Sequence, residues 1–241
     1  MELGLAGRVA LVTASSKGLG RASAEALAAD GAAVAICARG KESLDATADA
    51  IRSSGGRVLA IESDVTAPEQ PARLVAAAVA EFGRLDIVVA NAGGPPAGRA
   101  LDVDDAALDV ALNANLLTSI RLVREAVPHM RTGGWGRICL ITSVSVRQPI
   151  RDLALSNTAR VGLWGWAKTA AQDLAEDGIT LNLACPGFHA TDRVTQLGHT
   201  AVRMGDPADF GKVVAFLCSE PAGFVSGVAL GVDGAAVAGL L

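Results

Sequence analysis

The residues best placed to do chemistry begin early. Thr13-Ala14-Ser15-Ser16-Lys17-Gly18-Leu19-Gly20 directly follows the apolar run Val9-Ala10-Leu11-Val12 and opens the Ala-rich segment Arg21 to Asp30. Strand, tight turn and helix in that order let glycine backbone approach a pyrophosphate closely. The free N–H groups and positive dipole end of the helix then stabilise the anion. The spacing is not the common Gly-x-Gly-x-x-Gly, because Ala14 stands where a first glycine would, leaving Gly18 and Gly20. A plain strand-to-helix turn fits the same residues, so the downstream chain has to decide. The cysteines offer little: Cys37, Cys139 and Cys185 lie in or beside apolar strand-like runs and Cys218 in a helical pattern. None forms a Cys-x-x-Cys pair or has a His at metal-ligand spacing, so no metal site is expected and all four read as core thiols of a reducing compartment. There is no Tyr anywhere in the chain.

The elements that must position these residues alternate regularly. Strand-like runs at Val9 to Val12, Ala33 to Ala38, Arg57 to Ile61, Leu85 to Ala90, Gly136 to Thr142, Ile179 to Ala184 and Val228 to Val232 are nearly continuous and apolar. Helical patterns separate them: Arg21 to Asp30, Lys41 to Ser54, Pro68 to Phe82, Asp104 to Met130, Arg151 to Asp177 and Pro207 to Ser219. Strands apolar on both faces belong in a parallel sheet covered by helices on both sides. Right-handed crossovers then give an α/β, doubly wound (Rossmann) sheet of about seven strands, with ligands at the carboxyl ends of the strands. A length of 241 residues suffices for this as one domain, residues 1–241, without linker or repeat. The formal net charge of -4, with both signs mixed along the chain, provides neither a basic patch for nucleic acid nor an acidic tail. The chain shows no basic-then-apolar leader and no apolar run long and uninterrupted enough to span a bilayer, so a cytoplasmic location and small-molecule partners are expected.

Taken together, the Thr13–Gly20 turn, Asp64-Val65, Asn91-Ala92-Gly93, Asn115, Ser143 and Pro186-Gly187-Phe188-His189-Ala190-Thr191-Asp192 resemble the short-chain dehydrogenase/reductase family over essentially the whole chain. Within it the likeness is to the β-ketoacyl-acyl-carrier-protein reductases. The resemblance implies a nicotinamide dinucleotide as cofactor. Thr13, Ser15, Ser16, Lys17, Gly18, Leu19 and Gly20 would form its turn, with Gly18 and Gly20 at the pyrophosphate. Asp64 and Val65 would lie at the adenine, and Asn91, Ala92 and Gly93 beside the adenosine ribose. Pro186, Gly187, Thr191 and the backbone near His189 would meet the nicotinamide carboxamide. Ser143 would hydrogen-bond the substrate oxygen and Asn115 would hold a relay water. Cofactor choice follows from charge: an acid at the end of the second strand grips a free 2′-hydroxyl, whereas a 2′-phosphate needs cations there. Arg39 occupies that end and Lys17 the facing turn, which favours NADP(H) and leaves NAD(H) open.

The chain departs from the family at its chemistry. The family's Tyr-x-x-x-Lys belongs thirteen residues beyond the serine, and counting from Ser143 reaches Ser156-Asn157-Thr158-Ala159-Arg160. No shifted register restores a phenol. Trp164 to Lys168 imitates the spacing but lies two turns on, about 12 Å from Ser156, and an indole has no hydroxyl. A phenol titrates near pH ~10 and can be drawn toward neutrality by a cation, whereas an aliphatic hydroxyl is a far poorer acid. Arg160, one turn from Ser156, can hold a ribose and offer fixed positive charge, but it is a poor proton shuttle. Three readings follow. One is a carbonyl/hydroxyl oxidoreductase using Ser143, Ser156, Arg160 and Asn115, with the proton from water or His189. Another is a non-redox enzyme performing elimination, isomerisation or cyclisation, with Arg147, Arg151, Asp152 or Arg160 polarising an oxygen. The last is a non-catalytic nucleotide-binding or partner subunit.

The segment between Gly187 and Asp206 is short for the family's substrate lid, which implies an open pocket for an extended or carrier-bound substrate. His129 and His199 read as structural or solvated. The two long helices, Asp104 to Met130 and Arg151 to Asp177, correspond to helices that pair across subunits in the family, implying a homodimer or homotetramer.

Overall fold

The architecture is taken from a computed structural model, in which residues 2–196 and 203–239 are described. Seven parallel strands form one sheet in the order β3-β2-β1-β4-β5-β6-β7. They are β1 (Val9–Val12), β2 (Ala33–Ala38), β3 (Val58–Glu62), β4 (Ile87–Ala90), β5 (Gly136–Ile141), β6 (Ile179–Pro186) and β7 (Ala229–Val232). The strand order reverses between β1 and β4. Both leave the sheet at the same end, which opens a crevice above their carboxyl termini. Every residue of β1, β2, β4 and β5 is buried, as unbroken apolar runs in a sheet covered on both faces require.

The helices are α1 (Gly18–Ala29), α2 (Lys41–Ser53), α3 (Gln70–Phe82), α4 (Asp105–Leu112), α5 (Thr118–Gly133), α6 (Ala154–Asp173), α7 (Asp192–Gln196) and α8 (Pro207–Leu217). Helices α3, α5 and α6 cover one face through Leu74, Val75, Leu122, Met130, Leu163 and Ala167, and α1, α2 and α8 cover the other through Leu27, Leu44, Ile51, Phe210 and Val214. Fully burying side chains such as Leu122 and Phe210 contributes about 1.5–3 kcal/mol each. Helix α8 lies close on α1 because Gly211 sits against the backbone carbonyl of Ala22, where a side chain would not fit.

Two long helical patterns differ from the sequence reading. The stretch expected as one helix from Asp104 is α4 and α5 joined by a π-helical segment, Asn113–Leu117. The pattern from Arg151 enters its helix only at Ala154 and leaves it at Asp173, where a 3-10 turn, Ala175–Asp177, and left-handed Gly178 lead into β6. The continuous helical stretch Asp105–Gly133 has the length and composition to cross a membrane, which the sequence reading did not find. In the fold, its Leu122, Val123, Ala126 and Met130 are buried within the core beside the sheet.

Candidate active site

The crevice is held open by polar side chains that tie β1 to its neighbours. Thr13 Oγ1 donates to the Asn91 carbonyl at 2.7 Å and accepts from the Asn91 N–H at 2.9 Å. Asn91 Nδ2 donates to the Ala14 carbonyl at 3.0 Å. Ser15 is wholly buried, its hydroxyl donating to the Val12 carbonyl at 2.8 Å and accepting from Cys37 N–H at 3.1 Å. Ser15 therefore braces β1 against β2, and its side chain is turned into the fold. Ser16 is braced through its carbonyl, which accepts from Thr47 Oγ1 at 3.1 Å. Leu19 packs into the core on the α1 side.

The turn itself is compact. A Cβ on Gly20 would meet the Ala14 carbonyl oxygen at 2.5 Å and Asn91 Nδ2 at 2.6 Å, so only glycine fits. Gly18 has a positive φ of 54°, and Ala14 adopts the left-handed region at φ 46° in place of the glycine missing from the sequence pattern. Lys17, exposed, is the N-cap of α1 and makes no capping bond with its side chain.

At the ends of β2 and β3 a cavity of about 620 Å³ is lined by Arg39, Ser63, Asp64, Gln70 and Arg73 among others. Asp64 Oδ1 accepts from Thr66 Oγ1 at 2.7 Å and Thr66 N–H at 3.0 Å. These bonds and, to a smaller extent, the Arg39 charge hold its carboxyl below the ordinary carboxylate range. Val65 is buried beneath it. Arg73 was not singled out from sequence, since nothing in its helical spacing distinguishes it from a solvated charge.

The other side of the crevice brings together Ser156, Arg160 and Asn115. Arg160 Nε donates to Ser156 Oγ, its Nη2 to Asn115 Oδ1 and its Nη1 to the Ile141 carbonyl, each at 3.1 Å. Ser156, Arg160 and Asn115 are all buried. Burial pulls the Arg160 guanidinium down from its ordinary value to about 10, an effect Cys185 opposes and Arg193 reinforces. Asn115 lies in the π-helical segment, anchored by Asn113 Nδ2 donating to the Thr66 carbonyl at 2.9 Å and Arg121 Nη1 donating to Asn113 Oδ1 at 2.7 Å. Ser143 stands at the end of β5, its Oγ accepting from Ser145 N–H at 3.1 Å to start a 3-10 turn. Trp164 is on the same helix as Ser156, and its indole packs against the core.

After β6, Gly187 N–H donates to the Val232 carbonyl at 3.0 Å. A Cβ on Gly187 would strike Asp233. His189 is buried, its ring edge-on to Phe210 at 5.2 Å and its Nδ1 3.3 Å from the Gly187 carbonyl. Thr191 crosses the crevice to lie over Gly18, with its Cγ2 3.4 Å from where a Gly18 Cβ would be. Helix α7, absent from the sequence reading, carries Arg193 across to the Asn91–Pro96 loop, where its Nη2 donates to the Pro95 carbonyl at 2.6 Å. Ala92 and Gly93 line that loop, Gly93 with open space around its Cα. Of the lid expected between Gly187 and Asp206, residues 197–202, including His199, lie outside the described residues. A second cavity of about 540 Å³, bounded by Gly98, Asp102, Asp104, Asp152 and Leu155 among others, adjoins the Ser156 turn. All four cysteines are free and buried, and burial raises the Cys37 thiol to about 12 and Cys185 to about 11.

Known proteins share this fold. The family model described as short chain dehydrogenase matches residues 8–201. Short-chain reductase protein NovJ of Streptomyces niveus is 35% identical over 243 residues, covering 94% of this chain and 92% of its own. L-sorbose reductase from Gluconobacter frateurii, solved with NADPH and L-sorbose, superposes with a TM-score of 0.91 at 30% identity, covering 97% of this chain and 98% of its own. A 3-oxoacyl (acyl-carrier-protein) reductase from Agrobacterium tumefaciens C58, solved with NADP bound, superposes with a TM-score of 0.90 at 28% identity, covering 97% and 95%. With a parallel seven-strand sheet, a glycine turn beneath the β1–β4 crevice and a family match over most of its length, the chain belongs to the short chain dehydrogenase family.

Proposed function

We propose that the protein is an NADP(H)-dependent oxidoreductase acting on a carbonyl or hydroxyl group, in which Ser156 and Arg160 stand in place of the family's tyrosine and lysine beside Ser143 and Asn115. The observation that carries this reading is the buried trio in which Arg160 joins Ser156 to Asn115. A buried guanidinium held by three bonds costs desolvation energy, and a merely structural position would be better filled by an apolar side chain.

The residues fit a dinucleotide. Gly20 leaves a cradle that a Cβ would fill, the N-terminus of α1 faces it, and Arg39 and Lys17 are exposed cations beside it. Gly18, Leu19 and Gly20 would hold the pyrophosphate, Asp64, Val65 and Asn91 the adenosine, and the Pro186–Thr191 segment the nicotinamide. Similar structures solved with NADPH and with NADP support a nicotinamide cofactor here, one of 29% identity holds NADH, and the cations Arg39 and Lys17 favour NADP(H). The bound nicotinamide would supply or accept the hydride.

The chain's own residues would do the rest. Ser156 Oγ accepts from Arg160 Nε, which leaves its own proton free to be donated into the cleft. Cationic polarisation strengthens that donor, so Ser156 and Ser143 together would hold the reacting oxygen as negative charge develops. Arg160 stays protonated at neutral pH and would stabilise that charge without giving up a proton, so the proton would come from water. The His189 ring, packed on Phe210, would serve the fold there.

The substrate would be a small or carrier-bound molecule entering past Gly98 and Leu155. The assembly would be a homodimer or homotetramer using α4, α5 and α6, where Val110, Leu117 and Val161 are exposed. The test is NADPH oxidation across a panel of carbonyl compounds. Turnover that falls in Ser143→Ala and Ser156→Ala, with NADPH affinity nearly kept, supports the reading. No turnover with any carbonyl, or turnover indifferent to both changes, overturns it.

A further inference from the structure

Charge is unevenly matched in the cleft. Arg160 has five N–H donors, three of which go to Ser156, Ile141 and Asn115, leaving one on each terminal nitrogen uncommitted among the described residues. No carboxylate lies within 4.0 Å of Arg160, Arg193 or Arg147 among the described residues, although seven other cations in the chain have such partners. Arg193 and Arg147 donate only to neutral carbonyls, those of Pro95 and Ala229. Arg193 is near enough to disfavour the charge on Arg160, and Arg147 and Arg160 both act on the Cys185 thiol of β6. Cations gathered around a crevice without a counter-charge focus a positive potential there, and an uncompensated buried charge is costly until an anion joins it.

We propose that Arg193, which reaches across to the Asn91–Pro96 loop, binds an anionic group of the substrate, a carboxylate. This rests on the reading of the crevice as a substrate site given above. Arg193 is the specificity-determining residue: α7 brings it over the Asn91–Pro96 loop, and only its carbonyl bond to Pro95 has to be exchanged for the ligand. A guanidinium with a free N–H on each terminal nitrogen suits the two oxygens of a carboxylate. The cavity beyond Leu155 is bordered by Asp102, Asp104 and Asp152 against the single cation Arg99, so the acid end of the substrate lies on the Arg193 side and its neutral remainder extends toward Gly98. Cofactor phosphates offer the same anionic oxygens, and the experiment separates the two sources.

Binding is measured by calorimetry with acetoacetate, 2-oxo-4-phenylbutanoate and levulinate, each beside its methyl ester, on protein saturated with NADPH and on protein alone. The expected result is that at least one acid binds about tenfold or more tighter than its ester. Arg193→Gln should erase that preference while leaving ester affinity within about twofold, and Arg193→Lys should restore part of it. Equal binding of acids and esters in the wild type overturns the proposal. So does an Arg193→Gln protein that loses NADPH affinity about tenfold yet keeps its acid preference, since the arginine then serves the cofactor phosphates. An acid preference abolished by Arg193→Gln in protein that binds no NADPH sustains the anion site and defeats only the cofactor reading.

Discussion

Around the ends of β1, β2 and β4 the polar side chains hold backbone. Thr13, Ser15 and Asn91 spend their bonds on the main chain of neighbouring strands. In the buried trio they hold each other: Arg160 bonds Ser156 and Asn115 through side chains, with one backbone contact at Ile141. The difference separates two kinds of constraint. Backbone-bonded groups fix the fold, and a change there distorts the crevice. Groups bonded to one another can be exchanged as a set, so on the proposed reading the chemistry can change while the glycine turn stays in place.

The strongest way to sharpen that contrast is to reverse the exchange. Ser156→Tyr with Arg160→Lys should raise carbonyl turnover by about 10²–10⁴, the usual worth of a matched general acid, with NADPH affinity little changed. A double variant that folds, binds NADPH and turns over no faster would show that the trio is not the chemical centre. Next in size is Gly20→Ala. Its Cβ would strike Ala14 and Asn91, so NADPH affinity should fall more than tenfold and stability by roughly 1–3 kcal/mol, read by calorimetry and denaturant titration. Unchanged affinity would detach the turn from the cofactor.

Hydrogen-ion dependence gives a smaller effect with a definite sign. Burial holds Arg160 at about 10 in the folded chain, below the ordinary guanidinium value of the open one, so the unfolded state binds that proton more tightly above about pH 10. Below that the guanidinium's burial is a constant cost to stability, and it is relieved as pH climbs beyond about 10. In the neutral range the trio does not titrate. Turnover at saturating substrate should therefore be nearly flat from about pH 6 to 9, and the Tyr/Lys double variant should gain a titrating limb there. A steep neutral-range limb in the wild type would point to another acid. Smallest is Ala14→Gly: a left-handed alanine costs about 1–2 kcal/mol, partly offset by the greater entropy of unfolded glycine. A net gain of under about 1 kcal/mol in chemical denaturation is expected, and a loss would mean that the Ala14 methyl packs usefully.

The sheet was legible because its strands are apolar on both faces, a signal carried by each segment alone. Helix ends were less so. The α6 pattern reads on to Asp177, but the chain must turn at Gly178 to reach β6, and only the sheet specifies where. The π segment around Asn115 is anchored by a partner far along the chain, Thr66, 47 residues from Asn113, which no local period records. Ser156 and Arg160 were found by counting from Ser143, and the one-turn spacing correctly implied that they meet. Arg193 was missed because its importance comes from lying across the crevice on Pro95, 98 residues away. Ser15, read as part of the cofactor turn, is a polar residue whose burial cannot be told from its type.

The measurement that bears most directly on the account is calorimetric titration of cofactor-free protein with NADPH and, in parallel, NADH. The account predicts that NADPH binds more than about tenfold tighter than NADH, with Arg39 and Lys17 meeting the 2′-phosphate above an intact glycine turn. Binding of neither would mean that the cradle survives only as scaffold, and would contradict the claim that this half of the crevice has kept its function.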